Sequence, residues 1–393
     1  MSLQSTFTSA SINGWRGLSS SIPFELNNVI INDLPRSVGQ GFGYICAVSN
    51  NGEYFACSSY SGGGGTYPDA YIWIFKNNFD GTYTQQATYT YTLHIVRSLS
   101  ISDAGDYVAV TAGPLSSAPS PLTVYRRTGS TWTAVSVVTP SSFNFGVTSK
   151  ISGDGNYVVV SGRSSTGPQC IFMFARSGSS WNLVQTITLV PSSSTYTIGA
   201  VSINYDGSYV GVTNRSGTGS LFVYYKASTT WALQQQIPLN GYTGQAGTSL
   251  SINNDATSLI FNNVSAVLTS SATIYNRIGT TWSFDITLQG SSTTDQFGTS
   301  VRVAGTGNTY VISSPAYDYP GYTNSGVIQV FEKTNTGYSM IQRLYTSQLY
   351  SNQGFTGASG LDIDTSGQWI IGGAPDSAIY GGTRGAAFLY SNA

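Results

Sequence analysis

Charge is what this sequence lacks most. Only 8% of its 393 residues are Asp, Glu, Lys or Arg, where a soluble domain carries about 25%. The formal net charge is −1, which excludes a broad electrostatic attraction to nucleic acid or to an anionic membrane. Cysteine is also scarce. Three Cys and one His, scattered at non-ligand spacings, make neither a disulfide framework nor a zinc site. No apolar run approaches the roughly 20 residues that span a bilayer. The stretch MSLQSTFTSASINGW has neither the basic start nor the apolar segment of a secretory signal. Membrane insertion and the usual export route are therefore not expected, and the sequons at Asn214 and Asn263 matter only in a chain secreted by a eukaryotic host.

Gly and Tyr are what the sequence has instead, at 45 and 27 residues. That is the vocabulary of strands and turns. ISDAGDYVAV begins at Ile101, ISGDGNYVVV at Ile151 and INYDGSYVGV at Ile203, with weaker copies from Val48, Ile252, Val303 and Ile363. Taking the turn at Gly52, Gly105, Gly155, Gly207, Thr257, Gly307 and Gly367, the separations are 53, 50, 52, 50, 50 and 60 residues. A fixed period of this size marks a repeat architecture.

Each repeat reads as four strands. One precedes the turn, an apolar one follows it, and the third is aromatic-rich, as in YIWIF at Tyr71 and IFMFAR at Ile171. The fourth opens with Tyr83, Trp132, Trp181, Trp231, Trp282 or Tyr338. Alternation bounded by Gly and Asn turns, without a helical period, means an all-β chain. Four strands in about 50 residues is a β-propeller blade. The repeats run over approximately 39–92, 93–142, 143–193, 194–242, 243–290, 291–350 and 351–393, in one domain. The last stops after its third strand. NGWRGLSSSIPFEL, with Trp15 and Ile22-Pro23, is similar to TTWALQQQIPLN, with Trp231 and Ile237-Pro238. Residues 1–38 are thus expected to supply the missing strand and close a ring of seven blades, leaving no open edge.

With the repeats aligned, the chain resembles the FG-GAP family, the integrin-α-like propeller repeats, in its bacterial and viral branch. The resemblance rests on Phe42-Gly43, Phe145-Gly146 and Phe297-Gly298 before the first strand. It rests also on the S-x-S/D-G turn, and on Gly373-Ala374-Pro375 and Ser314-Pro315-Ala316 after the second strand. The resemblance implies adhesion, recognition and assembly rather than catalysis. Calcium-binding copies of the family place carboxylates at loop positions 1, 3, 5 and 9. Here the ninth position is Val158, Val210 or Ile370, which leaves too few oxygens for calcium. Asp362 and Asp364 are the least unsuitable pair. Asp-Gly and Asn-Gly are favoured in two-residue hairpins, so the motif is expected to be a turn. By the same reasoning Cys46 and Cys57, flanking Asn51-Gly52, face each other as buried free thiols. Ser102 to Tyr107 also looks like the Asp-box of sialidases, itself a structural turn, but the arginine cluster that grips a substrate carboxylate is not apparent.

Other chemistry finds little support. His94 lacks a partnering G-x-S-x-G elbow, and Gly62 to Gly65 lacks the G-K-S/T of a phosphate cradle. Asp69, Asp295, Asp318 and Asp376 are the carboxylates that could meet above the ring for glycoside hydrolysis. No cofactor is expected. Binding is expected on the long loops between second and third strands, where variable segments ride on a rigid scaffold. Tyr67, Tyr317, Tyr319, Tyr322 and Tyr380 could stack on sugars, anchor a protein, or simply pack the loops down. On the opposite face Lys76, Arg127, Arg176, Lys226, Arg277 and Lys333 follow the third strands as a basic rim. They either protect exposed hairpins or dock an acidic partner. The expected function is thus a non-enzymatic structural or recognition protein of a virion or other particle surface. Its partners would be other proteins of that particle or of a cell surface, and glycans. The alternatives are an extracellular carbohydrate- or protein-binding adhesin and a glycoside hydrolase with its site at the ring mouth.

Overall fold

The protein was analysed as a computed structural model, which describes residues 22–30, 41–59, 69–114, 119–135, 137, 140, 143–164, 168–189, 198–215, 219–239, 245–264, 270–347, 349, 351–353, 355, 360–376 and 385–392. These form seven four-stranded antiparallel sheets, the blades of a seven-bladed β-propeller. The single helical element among the described residues is a 3-10 turn, Asn50–Gly52. The innermost strands of blades one to seven are Cys46–Val48, Ile95–Ile101, Phe143–Ile151, Ile198–Ile203, Gln245–Ile252, Val301–Val303 and Leu361–Ile363.

The hydrophobic core is divided among the seams between blades. Seven buried clusters each draw on two neighbouring blades. Strand alternation explains this, because every blade is covered on both faces and contributes apolar residues to both neighbours. The F-G pairs have a packing cause. Phe42, Phe145 and Phe297 are fully buried, and their glycines adopt φ of 86°, 90° and 85°. A Cβ on Gly146 would lie 1.9 Å from the Ser120 carbonyl oxygen, so only glycine permits the approach.

The ring closes through the N-terminal part of the chain. Strand Glu25–Ile30 pairs antiparallel with Ala386–Ser391 and completes blade seven. Its register differs from the expectation. Glu25 faces Ser391 as Ala232 faces Tyr225, so buried Phe24 stands in the place of the opening aromatic. Trp15 lies outside the described residues.

The Asp-Gly turns are wider than two-residue hairpins. Ser102 N donates to Tyr107 O, and Gly105 N donates back to Ser102 O. In six of the seven turns the first side chain caps the turn, and in blade six that position is Ala304. Ser102 Oγ accepts from Asp106 N and Tyr107 N, Asn204 Oδ1 from Tyr209 N and Asp364 Oδ1 from Trp369 N. In blade five the left-handed residue is Ala256, at φ 53°, one position before Thr257. Cys46 and Cys57 are paired in register, buried and free, with sulfurs 3.7 Å apart.

Candidate functional site

The penultimate residue of each innermost strand points to the ring axis, while the last residue, always Val or Ile, is buried in a seam. Period-two alternation requires this division. The seven axial residues are Ala47, Ser100, Lys150, Ser202, Ser251, Arg302 and Asp362. Four of them fasten neighbouring blades. Ser100 Oγ accepts from Ile151 N, Ser202 Oγ from Ile252 N, Ser251 Oγ from Val303 N, and Asp362 Oδ2 from Val48 N. Lys150 and Arg302 are pure donors and cannot accept such a bond.

Both cations turn instead to Asp362. Lys150 Nζ lies 3.8 Å and Arg302 Nε 3.4 Å from its Oδ1. Beside them is a cavity of about 80 Å³ lined by Arg97, Thr148, Lys150, Ser202, Ser251 and Arg302 among others. The Lys150 side chain keeps 29% of its surface and Arg302 18%, so both stay reachable from the cavity although deep in the ring. Burial lowers the pKa of Lys150 and the positive Arg302 lowers it further, while Asp362 opposes both. Burial also lowers the pKa values of Arg302 and Arg97. Arg97 is held by Ser120 Oγ at 3.0 Å and Pro114 O at 2.8 Å.

The channel is floored on the side of the Asp-Gly turns. Three residues beyond the axial positions, Asp103 accepts from Thr365 Oγ1 at 2.5 Å and from Asn254 Nδ2 at 3.3 Å. A Cβ on Gly153 would strike Tyr205 and Asp103, and one on Gly305 would strike Thr365 and Asn254. Burial raises the pKa of Asp103, against the lowering effect of these two hydrogen bonds. The cavity wall thus carries Arg97, Lys150 and Arg302, of which only Lys150 and Arg302 pair with a carboxylate, and it favours an anionic guest.

Asp362 and Asp364 do not converge. Asp362 serves the axis, while Asp364 is used up by its own turn and by Asn51 N of blade one. Among the described residues no group of three or more His, Cys, Asp and Glu could hold a metal. Asp69, Asp295 and Asp318 are each tied, Asp69 to Leu93 N, Asp295 to Ser291 Oγ and Asp318 to Asn324 N, while burial raises the pKa of Asp376.

Of the five tyrosines, Tyr67 and Tyr380 lie outside the described residues. Tyr317 and Tyr319 pack against Tyr345 at 6.3 and 5.1 Å between centroids, and Tyr322 is exposed. The basic rim holds the blades together. Arg127 lies over Tyr54, Arg176 over Tyr107, Lys226 over Tyr157 and Arg277 over Tyr209, each on the preceding blade. Nε of all three arginines also donates to a turn carbonyl. Lys333 lies over Tyr338 of its own blade. Lys76 is one residue out of step. Asn77 makes the backbone bond that Arg127 makes, and Lys76 pairs with Glu53 at 3.5 Å.

Sequence reasoning missed Lys150, Arg302 and Arg97 as a site. The signal was one column of the repeat, where hydroxyl or small residues give way to Lys, Arg and Asp.

No family model matches the chain, and a comparison with curated proteins finds no match. Solved structures do match in fold. A candidate 6-phosphogluconolactonase from Bacteroides uniformis superposes with a TM-score of 0.55 at 11% identity, covering 81% of this chain and 89% of that one. A second, from Bacteroides fragilis, gives 0.54 at 12%, covering 86% and 89%. A protein from Lactobacillus plantarum gives 0.54 at 13%, covering 81% and 88%. At such identity the likeness establishes the fold alone. The expectation of a non-enzymatic particle component is nevertheless not supported by these neighbours, two of which are named as candidate 6-phosphogluconolactonases, and the axial column of this chain holds ionisable groups that repeat composition had hidden.

Proposed function

We propose that the protein is a hydrolase of small anionic sugar-derived lactones or esters, working at the axial cavity. The observation that carries this reading is the Lys150–Asp362–Arg302 cluster. Lys150 and Arg302 stand where three other blades place a fastening serine, and both line the cavity. Residues that break a repeat's local rule without serving its packing are expected at functional sites. The resemblance to propellers named as candidate 6-phosphogluconolactonases supports the choice of a phosphorylated sugar lactone as first substrate.

The roles follow from the chemistry. Water adds its oxygen to the carbonyl carbon, the acyl C–O bond breaks, and the released alkoxide oxygen takes up a proton. Lys150, its pKa lowered by burial, accepts the proton from water and returns it to the leaving oxygen. Arg302 stabilises the developing oxyanion, and Arg97 holds an anionic substituent. Asp362 keeps both axial cations in place. A cavity of about 80 Å³ admits the reacting end of a sugar, while the rest lies towards the loop face.

The test is the rate of hydrolysis of 6-phosphogluconolactone against unphosphorylated gluconolactone, each corrected for the spontaneous reaction. Lys150→Met is expected to lower kcat by about 100-fold or more and to remove the acidic limb of the pH profile, because the base works only when deprotonated. Arg97→Met is expected to raise KM for the phosphorylated substrate alone. Folded protein that accelerates neither lactone nor a panel of sugar esters overturns the reading.

A further inference from the structure

The chain has four lysines, and Lys150 stands apart from the other three. Lys226 and Lys333 lie over aromatic rings on the outer rim, 3.8 Å from the Tyr157 centroid and 5.9 Å from that of Tyr338. Lys76 pairs with Glu53 at 3.5 Å and keeps 41% of its side chain exposed. Lys150 lies on the ring axis, and it shares its carboxylate with a second cation, Arg302.

Arg302 is the fixed member of that pair. Its Nη1 donates to Ser249 Oγ at 3.0 Å and to Val301 O at 2.8 Å. Lys150 Nζ lies 3.8 Å from Asp362 Oδ1, beyond hydrogen-bond distance. It lines the cavity together with Arg97, Arg302 and the hydroxyl-bearing Thr148, Ser202 and Ser251. Burial lowers the pKa of Lys150 and Arg302 lowers it further, while Asp362 and Asp103 oppose them. A lysine desolvated beside a second cation is an activated amine, suited to attack on a carbonyl carbon. The two arginines of the wall select a carbonyl compound that also carries negative charge.

We propose that Lys150 is a nucleophile that captures small anionic aldehydes or 2-oxo acids as imines in the axial cavity. The Nζ lone pair adds to the carbonyl carbon, the carbonyl π pair moves to oxygen, and that oxygen takes a proton from the nitrogen. The C–O bond of the resulting carbinolamine then breaks. The hydroxyl leaves as water with the last nitrogen proton, and the C=N bond forms. Asp362 is the nearby carboxylate that carries these protons, and Arg302 and Arg97 meet the anionic group. The inference shares the cavity with the hydrolase reading but does not rest on it, because capture requires no lactone or ester to be hydrolysed.

The test incubates the full chain at neutral pH with glyoxylate or with acetaldehyde. Cyanoborohydride supplies the hydride that turns each imine into a stable secondary amine, and peptide mass mapping follows the label on each lysine over time, with the α-amino group counted apart. Glyoxylate is expected to label Lys150 ahead of all three rim lysines. The ratio of Lys150 label to rim label cancels the different reactivities of the two probes. It is expected to be about tenfold or more higher with glyoxylate than with acetaldehyde, the worth of one charge-assisted hydrogen bond. Lys150→Arg keeps the charge and removes the amine, so the fast labelling is expected to vanish while the rim lysines label as before. This labelling without any lactone or ester hydrolysis would overturn the hydrolase reading alone. Label spread evenly over the four lysines, an unlabelled Lys150, or equal ratios for the two probes overturns the proposal.

Discussion

Gln342, in the outer strand of blade six, holds both backbone polar groups of Phe24: it accepts from Phe24 N at 2.8 Å and donates to Phe24 O at 2.7 Å. The same clamp joins Gln185 to Trp231 and Gln235 to Trp282. Only the Gln342 clamp spans 318 residues and fastens the N-terminal strand. Losing a partner for a buried donor costs about 1–3 kcal/mol. Gln342→Ala is expected to lose about that much stability and to speed amide exchange in 25–30. Gln235→Ala is expected to lose similar stability with exchange there unchanged. Equal exchange in both variants would show that the clamp does not guard the closure.

Ala256 holds a left-handed conformation that glycine holds in the other turns. A Cβ there costs about 1 kcal/mol, partly offset by the greater freedom of unfolded glycine. Ala256→Gly is expected to stabilise the protein by about 0.5 kcal/mol, read as a higher urea midpoint at unchanged m. A lower midpoint would mean that the buried methyl contributes more than the strain costs.

Tyr157 is pinned between Lys226 and Trp231. Tyr157→Ser should leave the seam of blades three and four without its ring, at a cost of about 3–5 kcal/mol. Tyr157→Phe keeps the stacked face and should cost under about 1 kcal/mol. Thermal unfolding of the two variants side by side separates ring from hydroxyl.

Asp103 gives a pH signature. Its folded pKa lies above 3.8 because burial disfavours the carboxylate. The folded state therefore holds the proton more tightly than the unfolded chain. This contribution is fully present below pH 3.8 and is lost as pH rises through the raised folded pKa. Asp103→Asn should remove this slope, leaving the variant's urea midpoint less dependent on pH from about 4 upward. A slope identical to the parent's would place the titration elsewhere.

Much of the fold was legible in the residues. The turn motif near Gly105, Gly155 and Gly207, the aromatics opening the outer strands and the missing fourth strand of the last repeat led to seven blades and an N-terminal closure. Three positions slipped. Trp15 was read where Phe24 stands, Thr257 where Ala256 turns, and Lys76 where Asn77 bonds. A period-two strand reads similarly under small shifts, and only pairing with a neighbour fixes register. The basic rim was visible as a column, but its purpose was not, because four of the six cations serve a tyrosine one repeat earlier. The sequence by itself determined the blade count, the turn chemistry and the alternation that sends one side chain of each inner strand to the axis. The tertiary structure alone decided that Lys150, Arg302 and Asp362 meet. They belong to blades three, six and seven, and no local pattern couples them. Only closure of the ring brings their axial positions within ion-pair reach.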